Sequence, residues 1–99
     1  MSYVIAAPEI MTSAATDLSN IGSSVSAAHM AAAARTLAVV PAAADEVSAL
    51  TAARFALHAQ MYQAVSAQAA AIHEMFVQTL SVSAGSYAAT EAANAIATL

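Results

Sequence analysis

The 99-residue chain has no cysteine and no tryptophan, no lysine among its two basic residues, and only two glycines and two prolines. Each shortage excludes something. Without cysteine there is no disulfide framework and no thiolate chemistry. Two arginines stand against six acids, for a formal net charge of −4. Such a chain cannot neutralise a phosphate backbone or dock through a polybasic patch on anionic lipid, so nucleic-acid binding is set aside. The first positive side chain is Arg35, so a conventional secretory signal peptide, with its basic leading region, is not expected. There is no Gly-x-Ser-x-Gly elbow and no glycine-rich turn to cradle a phosphate.

A long lipid-soluble run is also lacking, although 61% of the residues are hydrophobic. The longest stretch free of acids and arginines, Phe55 to His73, contains His58, Gln60, Gln63, Gln68 and His73. Those amides and imidazoles are costly against hydrocarbon, so a transmembrane helix is not expected.

What is abundant is alanine, with 31 residues. Alanine is the best helix former, and no Gly or Pro interrupts Asp45 to Leu80. At 100° per residue, Val47, Leu50, Leu57, Met61, Val65, Ile72 and Met75 fall on one stripe of that helix. Phe55, Tyr62, Phe76 and Leu80 flank it. Ala49, Ala52, Ala56, Gln60, Gln63, Ala67 and Glu74 lie opposite. Asp45 and Glu46 supply a cap and first-turn acids.

Upstream, Ser2 to Ala7 is a short lead with extended character at Tyr3-Val4-Ile5. Pro8 suits the first helical position and Glu9 the positive end of the helix dipole. Ile10, Leu18, Ile21 and Val25 then keep helical spacing, opposite a hydroxyl-rich face that includes Ser13, Thr16 and Ser23. Gly22 inside this helix either weakens it or permits close approach of another helix. The pattern fails at Val40-Pro41. The expected architecture is all-α: a first helix over about 8–37, a second over about 45–84, and a short connector that makes them an antiparallel hairpin. Gly85 is the expected terminator of the second helix. Ser86 to Leu99 reads as a tail of weak helical character.

Chemistry is sparse. His58 and His73 are too far apart on one helix to share a metal, and no His-x-x-x-His or Glu-x-x-His pair occurs. The carboxylates are dispersed, so a paired acid/base site is not indicated. No catalytic residue, cofactor or metal site is expected. The sharper tail feature is Tyr87-Ala88-Ala89-Thr90-Glu91, which on a helix sets a phenol and a carboxylate about 6 Å apart on one face.

Several pieces together resemble one known family. Pro8-Glu9, an alanine-rich helical hairpin, Val40-Pro41-Ala42-Ala43-Ala44-Asp45-Glu46-Val47-Ser48 at the bend, the stretch Ala59 to Phe76, and Tyr87-x-x-x-Glu91 are similar to the mycobacterial PE family. The similarity runs over essentially the whole chain, and looks like the PE domain alone, with 1–85 as the hairpin and 86–99 as a tail bearing the secretion motif. It implies a non-enzymatic, secreted or cell-surface protein that forms an obligate heterodimer with a PPE protein, two hairpins making a four-helix bundle. It also implies export by type VII secretion, with Tyr87 and Glu91 as the export signal alongside a Trp-x-Gly turn on the partner. Chaperone contact is expected mainly through the PPE partner, and membrane contact only after export. The family pair Pro8-Glu9 carries no catalytic role.

Residues and resemblance agree on a surplus of apolar helix surface. Ile10, Leu18, Ile21, Val25, Leu50, Leu57, Met61, Val65, Ile72 and Phe76 are the expected contact residues, shared between sister helix and partner. Two other readings remain open at this point: a homo-oligomeric helical surface or structural protein, and an envelope component assisting solute uptake.

Overall fold

Pro8 fixes its own φ near the helical value and lacks the N–H that a first turn cannot use. In the computed structural model, which describes residues 4–99, helix α1 accordingly runs from Pro8 to Leu37. The carbonyl of Ala7 starts the hydrogen-bond ladder by accepting from the amides of Ile10 (3.0 Å) and Met11 (3.3 Å). Glu9 occupies the first turn and Arg35 the last, each complementing the helix dipole. Val4 to Ala7 is a non-helical lead. Ser2 and Tyr3, part of the same expected lead, lie outside the described residues. No strand occurs among the described residues.

Val40 precedes Pro41 and is steered away from helical geometry, so α1 gives way to an irregular connector. Asp45 closes that connector as the cap of helix α2, Glu46 to Ala97. One of its carboxylate oxygens accepts the Ser48 amide and the other the Ser48 hydroxyl, both at 2.8 Å. The Ala49 amide bonds the Asp45 carbonyl at 3.1 Å. This arrangement satisfies amides that a helix start leaves without partners.

α2 does not stop at Gly85. It continues to Ala97, so the expected end near residue 84 and the weakly helical tail are both corrected. No glycine has positive φ, so Gly85 does not adopt the left-handed turn of a helix terminator. The cause is propensity summed over the segment. A single glycine costs about 1 kcal/mol, and the alanine-rich stretch from Ala88 to Ala97 outweighs it. Threonines of both helices turn their hydroxyls onto their own helix, as Thr79 does to the Met75 carbonyl (2.9 Å) and Thr90 to that of Ser86 (3.0 Å).

The helices pair in two compact units. One, Ser23–Ile72, contains the end of α1, the connector and the start of α2, and is a helical hairpin in its own right. The other joins the chain up to Gly22 with His73–Leu99. In both, the fully buried side chains are small. The buried residues are Ala15, Ala52, Ala59 and Ala84. Half-buried positions continue the same rows: Met11, Leu18, Gly22, His29 and Ala33 on α1, and Ser48, Ala56, Gln63, Ser66, His73 and Val77 on α2. Steps of three, four and seven residues give each helix one seam of heptad type. Alanine and serine at such positions let backbones approach closely, so contact is made by main chain as much as by side chains.

Polar ties are set into the seam. In the Ser23–Ile72 unit the Tyr62 hydroxyl meets His29 Nε2 at 3.0 Å, the two rings stand edge to face with centroids 5.4 Å apart, and the Gln63 amide donates to the His29 carbonyl at 3.4 Å. In the other unit His73 Nε2 donates to the Leu18 carbonyl at 2.6 Å. Gly22 makes room for that imidazole. A Cβ on Gly22 would lie 2.9 Å from both Cδ2 and Nε2 of His73. The close-approach reading of this glycine is therefore the one realised.

Two glycines in similar helices are thus expected to respond oppositely to alanine. Gly85→Ala, whose Cβ meets nothing within 4 Å, raises stability by about 0.5–1 kcal/mol. Gly22→Ala lowers it by displacing the His73 ring, and in a His73→Ala background the same change becomes stabilising. Thermal unfolding of the four variants checks the sign reversal. The cap makes a separate pH prediction. The Ser48 amide first, and its hydroxyl second, hold the Asp45 carboxyl below its ordinary value despite a small opposing burial effect. A lowered folded-state value means that the cap stabilises α2 above the unfolded carboxylate range, about 4, and is lost as pH falls through the lowered value. Following the Ser48 amide resonance through an acid titration should show that loss, and Asp45→Asn should abolish the titration while keeping the acceptor.

Candidate functional site

With alanines turned to the sister helix, the large apolar side chains point elsewhere. Of the expected contact residues, only Leu18 is half-buried. Ile10, Ile21, Val25, Leu50, Leu57, Met61, Val65, Ile72 and Phe76 are all exposed, between 46% and 67%. Val47, Phe55, Tyr62 and Met75 join them on α2. Hydrophobicity alone would place these groups inside, at about 25 cal/mol per Å² of apolar surface removed from water. The hairpin instead spends its inner face on alanine and leaves its bulk uncovered. Large apolar groups left in water along a helix are the usual material of interaction surfaces. The flexible thioethers of Met61 and Met75 let that face adapt its shape.

A second feature joins the lead before α1 to the far part of α2. The amide of Ala6, in the lead before α1, donates to Glu91 Oε1 at 3.1 Å. Glu91 is half-buried and lies in α2 one turn beyond Tyr87, which is 50% exposed. Around this bond an open groove is lined by Ile5, Pro8, Glu9 and Thr12 from one side and by Ser81, Ala84, Gly85 and Ala88 of α2 from the other. The two motifs read from the sequence, Pro8-Glu9 and Tyr87-x-x-x-Glu91, therefore share one locality within a single unit. No sequence signal foretold the bond, because its donor is a main-chain amide. The Glu91 carboxylate also faces the start of α1, where the helix dipole favours negative charge.

His29 and His73 are spent on the helix–helix ties, and His58 is exposed. Among the described residues no group of three or more His, Cys, Asp or Glu side chains is placed to hold a metal ion. Nor, among those residues, is any helix long and apolar enough to cross a membrane.

Comparison with known proteins gives a consistent picture. The sequence model of the PE family matches residues 4–94. The chain is 64% identical over 97 residues to PE family protein PE13 of Mycobacterium tuberculosis, with 98% of each chain covered. It is 61% identical over 95 residues to PE-PGRS family protein PE_PGRS8 of the same species, of which it covers 54%. Against PE-PGRS family protein PE_PGRS3 the identity is 60% over 93 residues, 10% of that protein. The chain thus spans nearly all of the first relative, about half of the second and a small part of the third. None of these names denotes a reaction.

The inward and outward faces can be told apart chemically, since the chain has no cysteine of its own. Ala59→Cys and Ala84→Cys should resist a maleimide reagent whenever the helices are paired. Val65→Cys and Ile72→Cys should react freely in the isolated folded chain and become protected only when another protein covers them. Equal labelling at Ala59→Cys and Val65→Cys in folded protein would show that the seam is not where it is placed here.

Proposed function

The chain belongs to the PE family, and from that premise we propose that it is the smaller half of a secreted heterodimer, a non-enzymatic helical hairpin completed by a PPE protein. The observation that carries this reading is the inverted hairpin: small residues inside, and a row of exposed large apolar groups along both helices. A second hairpin laid lengthwise against Leu50, Leu57, Met61, Val65, Ile72 and Phe76 of α2 and Ile10, Ile21 and Val25 of α1 completes a four-helix bundle. The Ala-rich seam already joins the sister helices, so the large side chains are free to form the core between the two proteins. Burying them stabilises the complex at about 25 cal/mol per Å² before association costs.

The same premise gives Tyr87 and Glu91 the role of export signal in type VII secretion, which delivers the pair to the cell surface or beyond. The exposed phenol of Tyr87, in a helical segment continuous with the hairpin, supports that role.

Co-expression with candidate PPE proteins in a mycobacterial host tests both parts. Leu57→Asp and Met61→Asp should abolish co-purification of the partner, since an unpaired carboxylate buried in the bundle core is strongly destabilising. Tyr87→Ala and Glu91→Ala should leave the complex intact and keep it inside the cell. Partner binding unaffected by both stripe variants would remove the bundle reading, and normal secretion of both motif variants would remove the signal reading. A purified chain that sediments as a stable homodimer and binds no PPE protein would transfer the apolar face to a second copy of itself.

A further inference from the structure

The export reading treats Tyr87 and Glu91 as a linear element of α2, but in the fold Glu91 is already engaged. Its Oε1 accepts the Ala6 amide at 3.1 Å, across 85 residues of sequence, and the side chain is half-buried. Ala6 belongs to the non-helical lead, and Pro8 and Glu9 of the next turn line the same groove. We propose that the secretion element is composite: Glu91 acts as a positioning residue that clasps the N-terminal lead to α2, and what the export machinery takes up is Tyr87 together with the clasped lead, not a free carboxylate. This rests on the export reading of Tyr87 and Glu91 and specifies how that element is presented.

Three features support the clasp over a free acid. The bond is charge-assisted and fixes a segment that otherwise has no helical ladder of its own. The acid stands beside the start of α1, where the dipole reinforces its hold. A receptor seeking the carboxylate would find one of its oxygens already engaged by the Ala6 amide and the side chain half-buried. The exposed Tyr87 ring, one turn earlier on α2, carries no such obstacle.

The inference separates variants that a linear signal would treat alike. Gln at position 91 keeps an oxygen that accepts the Ala6 amide, whereas Ala does not. Proline at position 6 removes the donor and leaves Tyr87 and Glu91 untouched. In the partner-bound protein, expressed in a mycobacterial host, secreted and retained fractions are to be compared for Tyr87→Ala, Ala6→Pro, Glu91→Gln and Glu91→Ala. The expected result is loss of secretion for Tyr87→Ala, Ala6→Pro and Glu91→Ala, and secretion retained for Glu91→Gln, with the partner bound throughout. The Ala6 amide should exchange with solvent about tenfold more slowly in the natural protein than in Glu91→Ala, the factor expected of one net charge-assisted hydrogen bond. If Ala6→Pro is secreted normally while Tyr87→Ala is retained, the clasp is refuted and the linear signal stands. If Tyr87→Ala is also secreted normally, the export reading itself fails and takes the clasp with it. Should Ala6→Pro lose the partner, the Glu91→Gln and Glu91→Ala pair decides: retention of both in the cell overturns the clasp in favour of a recognised charge.

Discussion

Close approach between two alanine-lined helix faces is the constraint on which the rest of this structure depends. The four buried positions among the described residues are all alanine, and larger seam groups such as Met11, Leu18 and Val77 are only half-buried. That choice reverses the usual economy of a small protein, in which the largest apolar groups go inside. Once the inner face is committed to alanine, Leu57, Met61, Val65 and Ile72 have no place except outward. The apolar surface is a consequence of how the hairpin is joined.

Small seams carry little shape information, and polar groups supply what alanine cannot. His29 with Tyr62 in one unit, and His73 with the Leu18 carbonyl in the other, each place one directional bond on an otherwise featureless contact. Gly22 belongs to that arrangement rather than to any turn, because its missing Cβ is where the His73 ring lies. Asp45 does comparable work at the start of α2, holding two donors of Ser48. These groups are few, and most of the chain's polar side chains are left to the surface.

Much of this was legible in the residues. Alanine content gave helix, Pro8 and Asp45 marked the two starts, and Val40-Pro41 marked the break, because each of those signals is local and acts through the backbone. Gly85 misled for a complementary reason: a glycine is a good terminator only where its neighbours are ready to stop, and Ala88, Ala89, Ala92 and Ala93 were not. The division of faces was not readable. Periodicity locates a stripe of large apolar groups such as Leu57 and Met61, but says nothing of whether the sister helix prefers that stripe or the smaller residues opposite. Nor could spacing reveal Tyr62 beside His29, or an amide at Ala6 beneath Glu91, since such pairs join distant positions through no repeating pattern.

The heptad spacing of the alanine seam has one more consequence. Sliding α2 along its neighbour by seven residues, roughly 10 Å of axial travel, would exchange Ala52 with Ala59, one small residue for another. At such positions apolar contact by itself would tolerate more than one alignment, like a ratchet with identical teeth. The imidazoles of His29 and His73 act as the pawls. Each has a mate at only one setting, so a handful of polar atoms, and not the oily majority, determines which alignment the rods keep.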